Sequence, residues 1–63
     1  MKRNTENKVK QWMLNNASDF MEYGSLNMTM IAQTAAATFD IYDDCRSIPT
    51  SIFDIAFKVS EEI

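Results

Sequence analysis

The sequence predicts an all-α domain of three helices, with an alanine-rich second helix at its centre. The 63-residue chain has one glycine and one proline, and no alternation of apolar and polar residues long enough for a strand. Apolar residues recur instead at three- and four-residue steps, which places them on one face of a helix. A chain this short forms one domain (1–63) with a small interior.

The first helix is predicted from about residue 5 to residue 15 or 22, after a frayed arm at residues 1–4. Asn4 or Thr5 suits the N-cap, because a short polar side chain can accept a free backbone N–H there. Asn15 and Asn16 are poor helix formers, so a continuation beyond Asn16 stays open. The predicted inward row of the first helix is Val9, Trp12, Met13, Ala17 and Phe20. Gly24, the only glycine, is expected to end this region with a positive φ.

The second helix is predicted from a cap at Asn27 or Thr29 to about Phe39. It lies in the segment Tyr23–Phe39, which has no charged residue in a chain that is 24% charged. One face is predicted to be core: Met28, Ile31, Ala32, Ala35, Ala36 and Phe39. The opposite face is also uncharged, which is unusual for a helix surface exposed to water. We therefore expect it to be an interface: Met30, Gln33, Thr34 and Ala37.

The third helix follows an acidic loop at residues 40–47. Pro49 suits its first turn, because the missing N–H would have no partner there, and Ser51 with Asp54 matches the spacing of a capping box. The predicted inward row is Ile52, Ile55, Ala56, Val59 and Ile63. Phe53 and Phe57 lie at the edge of this row and are assigned equally to core or interface.

The charge distribution disfavours binding to nucleic acid. The net charge is −3, and an acidic body repels phosphates. A cluster of cations near the N-terminus leaves one alternative, a helix-turn-helix-like DNA-binding protein that contacts phosphates through Lys2, Arg3, Lys8 and Lys10. No apolar segment approaches the roughly 20 residues of a membrane span, and no signal-peptide pattern is present. The sequence predicts a cytoplasmic protein.

Catalysis, metal binding and cofactor binding have little support. The chain has no histidine and one cysteine, so Cys45 has no imidazole to activate it. Asp40, Asp43 and Asp44 lack the spacing, the glycine and the distal glutamate of a calcium-binding EF-hand loop. We predict no enzyme activity, no cofactor and no metal.

The stretches LNMTMIAQTAAATFDIYDD and IPTSIFDIAFKV resemble short helical proteins encoded by phages and other mobile elements. That group includes acidic inhibitors of host machinery, anti-CRISPR proteins among them, so the resemblance implies an inhibitor that binds a host protein. Residues and resemblance together predict a non-enzymatic interaction module, which binds another protein or forms a homodimer. The expected interface is Met30, Gln33, Thr34, Ala37, Phe53 and Phe57.

Overall fold

The computed structural model describes residues 2–63, which form three α-helices and a short β-hairpin. The helices are α1 (Arg3–Asn16), α2 (Met28–Phe39) and α3 (Thr50–Glu62). A 3-10 helix (Ala17–Phe20) follows α1 and leads into the strands β1 (Met21–Glu22) and β2 (Ser25–Leu26). The three predicted helices are confirmed, but the all-α class is only approximately right because of the unpredicted two-stranded sheet.

α1 begins two residues earlier than predicted and ends at Asn16. Arg3 and Asn4, assigned to the frayed arm, lie in the helix, and the Glu6 N–H donates to the carbonyl of Lys2 at 2.9 Å. Met1 lies outside the described residues. Lys2 occupies the N-cap position without a side-chain cap, so the predicted cap at Asn4 or Thr5 is wrong. At the other end the Asn16 amide donates to the Trp12 carbonyl at 2.8 Å, and the chain continues as the 3-10 helix.

Gly24 has the predicted positive φ, but in a hairpin turn and not at a helix end. Met21 pairs with Leu26 and Glu22 with Ser25, so the turn consists of Tyr23 and Gly24 alone. Their φ values are 52° and 82°, as in a type I′ turn, whose twist matches that of the flanking strands. Strands of two residues are too short to show alternation, which is why the sequence pattern did not reveal them.

α2 has the predicted bounds, and both of its ends are capped. The Asn27 side chain accepts the Met30 N–H at 3.0 Å, which confirms Asn27 as the N-cap. Asp40 takes the left-handed conformation at φ 52°. The N–H of Ile41 donates to the Ala36 carbonyl at 2.9 Å and that of Asp40 to Ala37 at 3.4 Å. These are the two hydrogen bonds of a Schellman motif, which ends a helix and turns the chain away.

The core lies where α2 packs against both α1 and α3. The fully buried residues come from all three helices: Val9, Met13, Ile31, Ala32, Ala35, Ala36, Ile52, Ala56 and Val59. Beside them, the partly buried Trp12 ring contacts Phe20 and Phe39, with centroid distances of 6.2 and 6.4 Å. Two residues predicted to be inward are exposed: Met28 at 37% and Ile63 at 56%. Both are at helix ends, where the neighbouring helices no longer cover them.

The loop at residues 40–49 is organised by one aspartate. The Asp43 carboxylate accepts the N–H groups of Cys45 and Ser47, both at 2.9 Å. The guanidinium of Arg46 lies 5.1 Å from the centroid of the Tyr42 ring. Backbone donors held by a side chain in this way give a loop a defined shape without regular structure.

α3 starts one residue later than its sequence signal indicates. Pro49 precedes the helix and its carbonyl accepts the Ile52 N–H at 3.0 Å, so it is not in the first turn. Ser51 and Asp54 lie inside α3, and the N-cap position has no side-chain hydrogen bond. The predicted capping box therefore does not form. Near the end of α3, Glu62 pairs with Lys10 of α1 at 3.1 Å.

Candidate protein-interaction surface

The predicted interface residues of α2 form a face that points away from the rest of the molecule. Met30, Gln33 and Ala37 are exposed and Thr34 is half-buried. At 3.6 residues per turn, Met30 and Ala37 lie about half a turn from the buried alanines of the same helix. The Thr34 hydroxyl donates to the Met30 carbonyl at 2.9 Å. Because that donor is used within the helix, the face offers a partner methyl and thioether groups together with the exposed Gln33 amide.

Phe53 and Phe57 form a second surface, on α3. They are four residues apart, so they are neighbours along one side of the helix, and they are 38% and 55% exposed. The outward face of α2 is directed away from α3. The six residues that the sequence assigned to one interface therefore lie on two separate surfaces.

A third surface, which the sequence did not predict, lies at the hairpin end of the molecule; its larger part is mainly apolar and its smaller part is more polar. It consists of two adjoining depressions of about 350 and 290 Å³, which we call the hairpin-end groove. The larger depression is lined by Leu14, Ala17, Ser18, Met21 and Ile63. The smaller one shares two of those residues and is lined by Met21, Gly24, Ser25, Leu26, Met28, Ser60 and Ile63. The missed sequence signal was the glycine turn between Met21 and Leu26, which also fits a two-residue hairpin.

Tyr23, at the tip of the hairpin, is fully exposed, with a relative accessibility of 104%. Its φ of 52° lies in the left-handed region, which is uncommon for a large side chain. At this position Asn, Asp or Gly is the usual residue. Tyr23 therefore has an unfavourable backbone conformation, and its exposed ring has no packing within the chain that would compensate for this cost.

The basic residues proposed for DNA contact do not converge on one face of α1. Arg3 and Lys10 are seven residues apart and lie on the same side, but Lys8 is about 160° around the helix from Lys10. Lys10 is also engaged with Glu62 at 3.1 Å. α2 and α3 are joined by residues 40–49, whereas a helix-turn-helix motif has a turn of about three or four residues.

Hydrogen bonds within the acidic loop explain its conformation. In the part of the chain that the structure describes, no three His, Cys, Asp or Glu side chains are grouped so that they could hold a metal ion. Cys45 is exposed, with a free thiol, and its N–H is bound by Asp43. Asp43 thus has a structural role, and the described geometry gives no support to a metal site in this loop.

The described helices and the comparisons with known proteins do not identify a function. Among residues 2–63, no helix combines the length and apolar character that crossing a membrane requires. Comparisons with protein-family models, curated proteins and solved structures find no match to this chain. The exposed apolar surfaces and the charges around them are the features of this chain that bear on its function.

Proposed function

We propose that this chain is a non-enzymatic protein-interaction module, acting in the cytoplasm, that binds a larger protein or a second copy of itself. The observation that best supports this proposal is the number of large apolar side chains outside the core. Each is more than a third exposed: Met21, Tyr23, Met28, Met30, Phe53, Phe57 and Ile63. Single exposed apolar residues are normal, whereas several grouped on a small domain indicate a binding surface.

The composition of these surfaces also favours protein recognition. Three of the seven are methionines, whose flexible thioether chains adapt to a partner's shape. Three are aromatic, and tyrosine is a frequent anchor of interfaces. The net charge of −3 favours a basic partner over nucleic acid. Because the chain resembles phage-encoded inhibitors, we propose that the larger partner is a component of host machinery.

DNA binding through the N-terminal cations has less support. A phosphate-binding face needs several cations that act together, but Lys8 is directed away from Lys10, and Lys10 is paired with Glu62. The cations of α1 therefore support DNA binding less than the exposed apolar surfaces support protein binding.

Ala37→Glu tests the outward face of α2. Ala37 is exposed, so we expect unchanged helix content by circular dichroism, together with loss of binding because a charge enters an apolar contact. Sedimentation velocity measures self-association, and affinity capture from an extract of the source cell measures binding to another protein. The matched control is Asn7→Glu, which adds the same charge at an exposed position of α1.

Two further outcomes distinguish the possibilities. If Ala37→Glu unfolds the chain, the face is internal and not an interface. If it leaves binding intact while Phe57→Ser abolishes it, the α3 surface is the interface and the proposed function stands. A wild-type chain that stays monomeric and captures no protein beyond the control would contradict the function itself.

A further inference from the structure

We infer that the hairpin-end groove is the docking site for a basic amphipathic segment of the partner protein. This rests on the proposed function and specifies the chemistry of the partner. The groove presents Leu14, Met21, Met28 and Ile63 to solvent around its two depressions. Volumes of about 350 and 290 Å³ are at the small end for ligand pockets. They suit anchoring side chains of a peptide laid across the groove.

Charge complementarity specifies the occupant. Four carboxylates belong to residues next in sequence to groove residues: Asp19, Glu22, Glu61 and Glu62. Adjacent Cα atoms are about 3.8 Å apart, so the backbone of these residues lies within a Debye length of the groove, about 8 Å at physiological salt. Among residues 2–63, no lysine or arginine directly precedes or follows a groove residue, and Lys10, which reaches this end of the molecule, is paired with Glu62. A largely apolar depression with an acidic rim selects apolar side chains flanked by Lys and Arg.

The hairpin tip adds an aromatic anchor beside the groove. Gly24 lines the smaller depression, and Tyr23 precedes it with its ring free in solvent. An exposed tyrosine ring can pack against an aliphatic chain and attract a cation over its face. Both interactions suit the same basic amphipathic segment.

The test uses a synthetic peptide of about five helical turns with leucine at positions i, i+3, i+4 and i+7 and lysine elsewhere. A second peptide has the same composition with the leucines shuffled so that no apolar face forms. Isothermal titration at low and physiological salt measures both affinities. We expect the patterned peptide to bind at least about tenfold more tightly, with an affinity that falls as salt rises.

Paired variants locate the site. Met21→Ser removes a groove side chain that is 42% exposed, and Asn7→Ser removes an exposed side chain of α1 that lines neither depression of the groove. We expect about a tenfold loss for Met21→Ser and less than about twofold for Asn7→Ser. Asp19→Lys should weaken binding more than Asp44→Lys, which makes the same charge change in the distant loop. Circular dichroism checks folding, and Ile63→Ser replaces Met21→Ser if that variant unfolds.

The outcomes separate this inference from the function on which it rests. Equal affinity for the two peptides, equal losses in Met21→Ser and Asn7→Ser, or no binding at millimolar peptide would each overturn the groove assignment. If the peptide fails but the Ala37→Glu or Phe57→Ser comparison reveals a bound protein, the function stands and only the site is wrong. If both experiments fail, the function fails as well.

Discussion

Met13→Ala is expected to lower the free energy of unfolding by about 2–5 kcal/mol. Met13 is fully buried in a core to which all three helices contribute, so the truncation removes apolar contacts and leaves a cavity. A domain of this length has a total stability on the order of 3–9 kcal/mol. The loss is therefore a large fraction of the total stability, and the denaturant midpoint should fall in proportion, as denaturant titration followed by circular dichroism would measure.

Met30→Ala is the matched control, because it makes the same chemical change at a side chain that is 49% exposed. We expect its free energy of unfolding to stay within about 0.5 kcal/mol of the wild type. Equal losses in the two variants would show that α1 does not contribute Met13 to the core as described.

Ala35→Leu is expected to destabilise the fold by about 1–3 kcal/mol or more through overpacking. Ala35 is fully buried on the face of α2 that packs within the core. The larger side chain would force neighbouring helices apart or adopt a strained rotamer. Leucine has nearly the helix propensity of alanine, so the loss would report packing and not helix formation. Thermal unfolding followed by circular dichroism measures it.

Ala37→Leu is the control for overpacking, two residues along the same helix but exposed. Its unfolding temperature should remain close to that of the wild type. If Ala35→Leu is tolerated equally well, the space around α2 is larger than the structure shows.

The parts of the fold predicted from the sequence depend on side chains that act locally. The N-cap of α2, predicted at Asn27 or Thr29 and observed at Asn27, and the end of α2 near Phe39 could be predicted because they depend on residues close in sequence. The alanine row from Ala32 to Ala36 was found because its spacing directly indicates a buried helix face. These features need no knowledge of distant contacts.

The parts that were missed depend on tertiary contacts or on short elements. The hairpin has strands of two residues each, and its turn places Tyr23 where Asn is usual. Met28 and Ile63 fit an inward row by spacing, but their exposure depends on where the neighbouring helices end. The hairpin-end groove was therefore not part of the predicted interface, although the sequence shows that its residues Met21 and Met28 are large and apolar.

The central claim is that apolar residues outside the core serve recognition although they lower the stability of the fold. Tyr23→Asn tests this claim most directly. Asparagine suits the left-handed backbone at this position, and the exposed ring has no packing to lose. Tyr23→Phe is the control that keeps the ring. The measurement is the free energy of unfolding together with the affinity for the patterned basic peptide.

Tyr23→Asn should raise the free energy of unfolding by up to about 1–2 kcal/mol and weaken peptide binding, while Tyr23→Phe should change neither by much. A Tyr23→Asn variant that is less stable than the wild type, or that binds the peptide as tightly, would contradict this claim.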